Sequence, residues 1–293
     1  MKVTNKHNVP ETLVSLATRD YYTKGRADYS VTEIISPPRI QRLRRKHNEE
    51  MEQDVSDMLW QLLGSALHVV AERGTTENHI NEERLIADVG DVKLSGAIDI
   101  QRITPEGVII TDYKFTSAWA LRQDKPEWEA QQNIYAWLVE KVKDVKVDKL
   151  EIVAISRDWS RRDASIKQGY PDAPIKVIPI QLWPMETREQ FIKDRINIHS
   201  NALFDLETGD ELPYCTPEQM WEKETTYAVK KIGNVRARNV CATEEEAKAK
   251  VEEYGKGHEI EVRKGERTRC QNFCPVSQFC NQYAEYLDKQ LKG

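Results

Sequence analysis

Long apolar runs are absent from this sequence of 293 residues. No segment approaches the roughly 18 consecutive apolar residues that a membrane-spanning helix requires. The first residues, MKVTNKHNVPETLV, also lack the apolar stretch of a signal peptide. We therefore expect a cytoplasmic protein that does not interact with membranes. The sequence also lacks a G-x-x-x-x-G-K-[ST] segment, so it contains no helicase motif of this kind.

An excess of positive charge is absent too, because 43 Lys and Arg residues are balanced by 48 Asp and Glu residues, for a formal net charge of −5. This balance neither indicates nor excludes a nucleic-acid partner, but any basic groove has to be local. Two segments are rich in arginine, RIQRLRRK at 39–46 and RDWSRR at 157–162. Basic side chains near an aromatic such as Trp159 suit a phosphate backbone with a stacked base, although both segments also fit solvated surface charges. The candidate DNA-binding residues are Arg42, Arg44, Arg45, Arg157 and Arg161.

Cysteine is scarce, with five residues, and three of them are clustered near the end of the chain as Cys270, Cys274 and Cys280. Disulfides are unusual in the cytosol. The C-x3-C-x5-C spacing therefore indicates either a metal site or buried free thiols.

The spacing of apolar residues predicts an α/β fold. Residues 50–72 have helical periodicity, with a stripe formed by Met51, Val55, Met58, Leu62 and Val69. Short β-rich runs and one more helical segment follow, with strands at 83–90, 92–101, 107–115 and 148–156 and a helix at 126–142. The predicted order is α-β-β-β-α-β.

The rest of the chain predicts a second, smaller module. A strand at 175–183 and an amphipathic helix at 185–204 complete the core. Beyond residue 213, we predict a strand at 234–241, a helix at 243–255 and a strand at 258–264. They indicate an α+β unit, which a cysteine-bearing tail follows. We predict an N-terminal arm and basic helix at 1–49, a core at 50–212, and a C-terminal module at 213–293.

Polar residues interrupt the second and third predicted strands of the core. Asp112 and Lys114 are two residues apart, so both side chains point to the same face of their strand. Asp99 lies near the end of the preceding strand, and a hairpin between the two strands brings it close to Asp112. Two aspartates form a minimal oxygen cage for Mg²⁺ or Mn²⁺. Lys114 can then orient a water or neutralise developing negative charge, although an Asp-x-Lys pair is also common on solvated sheets.

Helices on both sides of these strands carry further candidates. Gly64 and His68 lie one turn apart, and His68 offers a nitrogen ligand or a phosphate contact. On the later helix, Gln131 and Tyr135 are four residues apart and share a face.

Taken in order, these segments resemble the PD-(D/E)XK nuclease superfamily, in particular its RecB-like branch. The matching segments are G-S-A-L-H at 64–68, G-A-I-D-I at 96–100, D-Y-K at 112–114 and Q-x-x-x-Y at 131–135. This branch includes the AddAB nuclease domains and the iron–sulphur nucleases of CRISPR adaptation. The resemblance implies a restriction-endonuclease-like core with a mixed central sheet.

The resemblance also implies roles for individual residues. His68, Asp99, Asp112 and the backbone carbonyl of Tyr113 are the expected metal ligands. Lys114 is the expected catalytic lysine, and Gln131 and Tyr135 are expected either to brace it or to contact the DNA backbone. Glu83 matches an additional carboxylate that some relatives carry on the first strand, with Glu82 as the alternative.

Relatives with an iron–sulphur cluster use a C-terminal cysteine trio and a fourth cysteine upstream of the basic helix. Here that upstream segment is SPPRI at 36–40 and contains no cysteine. Cys241 is a candidate replacement, with Cys215 as an alternative, and His258 would complete a zinc site. The trio therefore predicts a [4Fe–4S] cluster, a Zn²⁺ site, or thiols without metal.

The function implied is that of a Mg²⁺- or Mn²⁺-dependent deoxyribonuclease. The resemblance favours an exonuclease acting on single strands or duplex ends, in recombination, repair or phage DNA processing. A helicase or recombination partner would be a separate chain, and the setting would be a bacterial or phage-infected cytosol. The alternatives are a catalytically silent DNA-binding or assembly factor and a structure-specific endonuclease.

Overall fold

The computed structural model describes residues 1–19, 24–74, 76–122 and 125–292. The chain forms two compact units. The first comprises Met1–Arg42 and Asn48–Leu212, and the second comprises Leu43–His47 and Pro213–Gly293. Across the described ranges, no helix has the length and apolar character required to cross a membrane.

The first unit combines helices with a mixed sheet. Its helices are α1 (Glu11–Thr18), α2 (Val31–Ile35), α3 (Pro38–Lys46, whose last residues belong to the second unit), α4 (Leu59–Glu72), α5 (Pro126–Lys143), α6 (Arg161–Ile166) and α7 (Met185–Thr208). Its strands are β1 (Lys2–Thr4), β2 (Tyr29–Ser30), β3 (Glu52–Asp54), β4 (His79–Val89), β5 (Val92–Thr104), β6 (Gly107–Thr116), β7 (Val147–Ser156) and β8 (Ile175–Ile180).

The central sheet has six strands, with β2-β5-β6-β7-β8 in order and β4 paired to β5. β6 and β7 are parallel, whereas β4 with β5, β5 with β6, and β7 with β8 are antiparallel. The predicted order α-β-β-β-α-β appears as α4-β4-β5-β6-α5-β7. The prediction of an α/β fold with a mixed central sheet is confirmed.

The long strand β5 has two partners along one of its edges. β4 pairs with it from Val92 to Arg102, and this occupies the first edge. β2 pairs with Leu94 and Ser95, and β6 pairs only from Ile100 onward, so both lie along the other edge. Between these two partners, residues 96–99 have no neighbour on that edge among the described strands. The sheet therefore opens where Asp99 lies.

Helix α5 forms the centre of the core. Every residue from Ala130 to Val139 is buried, which explains why the segment is apolar on most of its surface. It packs closely on β5 at Gly96, where a Cβ would lie 2.7 Å from Leu138 Cδ1 and 2.9 Å from Tyr135 Cε1. The glycine of the G-A-I-D-I segment is therefore required for the close approach of helix and sheet.

The helix predicted over 50–72 is wrong in its first third. Residues 52–54 form β3, which pairs with β1, and Val55–Met58 form a 3₁₀ turn before α4 begins at Leu59. Asp54 explains the break, because its carboxylate accepts hydrogen bonds from the backbone N–H of Ser56 and of Lys6. The apolar residues before α4 are buried, whereas Val69 at its end is exposed.

The second unit contains two small sheets and four helices among its described residues. The helices are α8 (Pro217–Met220), α9 (Glu244–Tyr254), α10 (Thr268–Asn272) and α11 (Asn281–Lys292). The strands are β9 (Glu222–Lys223), β10 (Thr226–Lys231), β11 (Asn239–Cys241), β12 (His258–Arg263) and β13 (Glu266–Arg267). Strands β11-β10-β12 form an antiparallel sheet, and β9 pairs with β13. The strand predicted at 234–241 is shorter than expected, because residues 232–237 form a turn between β10 and β11.

Candidate active site

Asp99 and Asp112 lie where β5 and β6 separate. The pairing of these strands ends at Ile100 and Thr111. Asp99 directly precedes Ile100 on β5, and Asp112 directly follows Thr111 on β6. The backbone N–H of Tyr113 donates to Asp99 Oδ2 at 2.9 Å, which holds the carboxylate beside β6. Both carboxylates are largely buried. The hairpin therefore brings the two predicted aspartates to one point.

Lys114 is held between a carboxylate and an amide. Its Nζ lies 2.7 Å from Asp112 Oδ2 and donates to Gln131 Oε1 at 2.9 Å. Gln131 Nε2 in turn donates to the hydroxyl of Tyr135 at 2.8 Å. Gln131 and Tyr135 are buried on α5. The helix thus fixes the position of the ammonium group through a two-step hydrogen-bond chain.

A histidine and a second carboxylate lie on the other side of Asp99. His68 Nδ1, on α4, is 3.3 Å from Glu82 Oε1 and 3.4 Å from Asp99 Oδ2. Among the residues that the structure describes, His68, Glu82 and Asp99 are the only three His, Cys, Asp or Glu side chains whose ligand atoms lie within 4.8 Å of one another. Ala71, Ile100 and Tyr113 complete the lining of this small cleft.

The structure places Glu82 in this cleft and Glu83 outside it. Glu82 has a left-handed backbone with φ of 47°, and its pairing with β5 is interrupted opposite Asp99. Glu83 instead accepts hydrogen bonds from Lys143 and Gln101, each at 2.6 Å. Of the two glutamates that the sequence left open, Glu82 is therefore the one whose carboxylate lies in the cleft with His68 and Asp99.

The carboxylates at this site repel each other. Burial, together with the negative charge of Asp112, raises the pKa of Asp99 to about 7. The contact with Glu82 and the charge of Asp99 raise the pKa of His68. Asp112 Oδ2 is buried and accepts no hydrogen bond of normal geometry within the described part of the chain, although the ammonium of Lys114 is close. A divalent cation would relieve this repulsion.

The predicted DNA-binding arginines lie in different environments. Arg42 is buried, and its guanidinium donates to the backbone carbonyl of His199 at 3.2 Å. Arg42 therefore joins α3 to α7 in this structure, and DNA binding by this residue stays a prediction. Arg44 and Arg45 are exposed on α3.

One arginine of the second arginine-rich segment lies over a tryptophan that is distant in the sequence. Arg157 and Arg161 are exposed, and Arg157 lies over the ring of Trp60 on α4, 4.6 Å from its centroid. Trp159 is half-buried, and its indole N–H donates to the carbonyl of Pro171. The available signal was the position of Trp60, eight residues before His68 on the same helix.

The cysteines are all free thiols, and they separate into two groups. Cys241 packs with Val229 and Ala247 in the small core of the second unit. Cys270, Cys274 and Cys280 are half-buried around α10. Burial and the neighbouring thiols raise the pKa of Cys270 to about 11. Cys241 therefore lies in an apolar cluster, and its role as a fourth ligand stays a prediction.

Comparison with known proteins adds a family relationship. A family model of the PD-(D/E)XK nuclease superfamily matches residues 15–281. No curated protein sequence is significantly similar to this chain. Chains of solved structures do match, and one is described as the crystal structure of SSO0001. It is 20% identical, with a TM-score of 0.41, and the alignment covers 64% of this chain and 82% of that one.

Proposed function

Since the chain belongs to the PD-(D/E)XK nuclease superfamily, we propose that it is a metal-dependent deoxyribonuclease centred on Asp99, Asp112 and Lys114. One observation carries the proposal. A lysine lies 2.7 Å from a buried aspartate of its own strand, next to a second buried aspartate on the neighbouring strand. All three residues belong to the first unit.

The side chains present fit a divalent cation. Asp99, Asp112 and Glu82 offer oxygen ligands, and His68 offers a nitrogen, a donor set that suits Mg²⁺ or Mn²⁺. The poorly satisfied Asp112 Oδ2 and the raised pKa of Asp99 both indicate that a cation in addition to Lys114 and His68 would stabilise these carboxylates. A bound Mg²⁺ or Mn²⁺ would stabilise negative charge at the scissile phosphate and lower the pKa of a coordinated water. The carbonyl of Tyr113 remains a proposed additional ligand.

Lys114 supplies a fixed positive charge beside the reacting phosphate. Its ammonium can donate to the attacking water or to a non-bridging phosphate oxygen, and both contacts stabilise the charge that develops during hydrolysis. Gln131 limits the movement of this ammonium, and Tyr135 fixes Gln131. We therefore assign Gln131 and Tyr135 as positioning residues.

We further propose an exonuclease acting on single strands or duplex ends, in recombination, repair or phage DNA processing. This preference rests on the motif resemblance to the RecB-like branch. A helicase or recombination partner would be a separate chain. A structure-specific endonuclease and a catalytically silent DNA-binding factor are the alternatives.

The test is cleavage of end-labelled single-stranded and duplex DNA with Mg²⁺ or Mn²⁺, with a covalently closed circle as a third substrate. We expect Asp112→Asn and Lys114→Ala each to lower the rate by about 100-fold or more, because each removes charge stabilisation at the phosphate. Asp88→Asn is the matched control, since Asp88 is an exposed carboxylate at the end of β4.

Three outcomes would contradict parts of this proposal. Undiminished cleavage by Asp112→Asn and Lys114→Ala would disprove the site assignment. Cleavage of the closed circle would disprove the exonuclease preference. Absence of cleavage by every protein, with DNA binding retained, would favour the silent binding factor.

We also propose that the cysteine trio binds a metal with Cys215 as the fourth thiol. Gln282, two residues after Cys280, accepts from the backbone N–H of Cys215 and donates to its carbonyl, each at 2.8 Å. Four thiols suit a [4Fe–4S] cluster, whose ligands are widely spaced. They suit Zn²⁺ less well, because no three cysteine sulfurs of the described chain lie within 4.8 Å of one another. Elemental analysis for zinc and iron tests this, with Cys215→Ser compared against Cys241→Ser. Loss of metal in the Cys241 variant alone, or no metal in the wild type, would contradict it.

A further inference from the structure

Two tryptophans of the first unit are exposed, and each carries an arginine over its ring. Trp60 is 50% exposed, with Arg157 Cζ 4.6 Å from its ring centroid. Trp119 is 62% exposed, with Arg122 Cζ 4.7 Å from its ring centroid. Exposed aromatic rings offer flat surfaces on which unpaired bases can stack. Each pair combines a flat apolar surface with a positive charge.

The first pair lies on the same face of α4 as His68. Trp60, Gly64 and His68 follow at intervals of four residues, so they lie along one side of the helix. The distance from Trp60 to His68 along the helix axis is about 12 Å. A Cβ at Gly64 would meet nothing within 4 Å. The surface between the tryptophan and the active site is therefore open.

The ring of Phe115, on the α4 side of β6, extends this surface. Phe115 follows Lys114 on β6, and its ring centroid lies 6.4 Å from that of Trp60. The backbone N–H of Arg157 donates to the carbonyl of Thr116 at 2.8 Å, at the ends of the parallel strands β6 and β7. Arg157 is thus held beside the strand that carries Asp112 and Lys114.

The second pair is tied to the same strand ends. The backbone N–H of Ala118 donates to the carboxylate of Asp158 at 2.6 Å, which fixes the segment immediately before Trp119. Ala118 is buried, so this segment is anchored while Trp119 is exposed. Both tryptophan–arginine pairs therefore lie near the end of β6.

We propose that Trp60, Phe115, Trp119, Arg122 and Arg157 form a stacking surface for single-stranded DNA that leads to the active site. The proposal rests on the proposed function in taking DNA as the ligand. Unpaired bases stack on exposed aromatic rings, whereas the bases of a duplex already stack on one another. The arginines add positive charge for the phosphates next to each stacked base. The surface therefore selects single strands over duplex DNA.

The experiment measures binding without cleavage. Variants are made in the Asp112→Asn background, and fluorescence anisotropy is recorded with fluorescein-labelled oligothymidylate and with a covalently closed duplex that has no free ends. We expect Trp60→Ala to weaken binding of the single strand by about 10-fold to 100-fold, the loss of one stacked base. Trp60→Phe should retain most of the affinity, and duplex binding should stay unchanged.

The matched control is Trp221→Ala in the second unit. Trp221 is 42% exposed, and Arg269 Cζ lies 5.5 Å from its ring centroid. This variant removes an exposed tryptophan with an arginine nearby, but we expect no change in oligothymidylate affinity. Thermal unfolding of every variant verifies that the fold is retained, and Arg157→Gln tests the surface without removing an aromatic ring.

The outcomes separate this inference from the proposed function. Equal loss of single-strand and duplex affinity in Trp60→Ala, or an unchanged single-strand affinity, would overturn the stacking surface. If the wild type cleaves DNA but Trp60→Ala binds oligothymidylate normally, this inference alone fails. If the wild type does not cleave DNA but Trp60→Ala selectively loses single-strand binding, the proposed nuclease function fails and the stacking surface stands.

Discussion

Two adjacent glutamates on β4 have different partners, although they are neighbours in the sequence. In a regular strand, alternate side chains point to opposite faces. The left-handed backbone of Glu82 interrupts this alternation opposite Asp99 and brings the Glu82 carboxylate to His68. Glu83 remains in the regular part of the strand and pairs with Lys143. The two residues should therefore respond differently to the same substitution.

Glu82→Gln should weaken Mn²⁺ binding by about 10-fold to 100-fold, as expected for loss of a group that ligates the ion or orients a ligand. Glu83→Gln should leave Mn²⁺ affinity unchanged and lower the free energy of unfolding by about 1 kcal/mol, because its ion pair with Lys143 is partly exposed. Isothermal titration calorimetry and urea unfolding measure the two effects. Equal effects of both substitutions on Mn²⁺ affinity would contradict this assignment.

At the residue scale, regular alternation made Asp112 and Lys114 predictable from the sequence. Asp99 was predictable because the short Pro-Glu-Gly connection implied a hairpin. The choice between Glu82 and Glu83 was not predictable, because it depends on a single left-handed residue. The burial of Arg42 was not predictable from the sequence either, because its guanidinium bonds to the carbonyl of His199, which lies 157 residues away.

Among the elements, α4 provides one side of the cleft and has a glycine in its middle turn. Gly64→Ala should raise the free energy of unfolding by about 0.5–1 kcal/mol, since alanine favours helices and nothing within 4 Å obstructs its Cβ. The same methyl group lies between Trp60 and His68, so KM for single-stranded DNA should rise. Urea unfolding and steady-state cleavage measure the two effects.

The control is Ser65→Ala, because Ser65 is exposed and its hydroxyl donates to the Gln61 carbonyl of the same helix. It should leave KM unchanged. A Gly64→Ala variant that gains stability with an unaltered KM would show that the DNA does not approach this turn.

The same substitution at Gly96, on β5, should change the free energy of unfolding in the opposite direction. A Cβ here would lie 2.7 Å from Leu138 Cδ1, and the buried helix α5 cannot move away without disturbing the core. Gly96→Ala should lower the free energy of unfolding by about 1–3 kcal/mol, as overpacking does elsewhere. Urea unfolding measures this. A neutral or stabilising effect would indicate that the contact between α5 and β5 is looser than described.

At the scale of elements, the strands β4–β7 and helix α5 were predictable from the period of their apolar residues. The structure of residues 50–58 was not predictable, because their buried apolar residues have the spacing of a helical stripe although they form a strand and a 3₁₀ turn. What decides the outcome there is the capping carboxylate of Asp54 and the pairing of β3 with β1, a contact between distant parts of the chain.

At the scale of the whole molecule, a buried histidine couples stability to pH. His199 on α7 is fully buried, and its Nε2 lies 3.1 Å from the carbonyl of Ser36 and 3.4 Å from a guanidinium nitrogen of Arg195. Burial, followed by the positive charge of Arg195, lowers the pKa of His199 from 6.5 to about 4. The folded protein therefore keeps this imidazole neutral at a pH where the unfolded chain protonates it.

The contribution of neutral His199 is fully present above pH 6.5 and is lost as the pH falls towards 4. The free energy of unfolding should decrease by about 3 kcal/mol over this interval from this group alone. Urea unfolding at a series of pH values measures the decrease. His199→Gln should reduce the slope in this window, and an identical slope in both proteins would contradict the assignment.

For the molecule as a whole, the family could be recognised because several weak motifs occur in a fixed order. No single segment was sufficient to identify the family, since a D-x-K segment alone is common in unrelated proteins. The pairing of Trp60 with Arg157 could not be predicted from the sequence, because it joins residues 97 positions apart through the packing of α4 against β6. Sequence patterns report local periodicity, whereas such pairs depend on the finished tertiary structure.

The left-handed backbone of Glu82 has a consequence for the evolution of this protein. A glutamate in that conformation costs about 1–2 kcal/mol, which a glycine would avoid. Selection for thermal robustness alone would favour glycine at position 82, whereas selection for ligand chemistry retains the carboxylate. Laboratory evolution towards a more heat-resistant variant should therefore replace Glu82 early, unless DNA cleavage is selected in the same step.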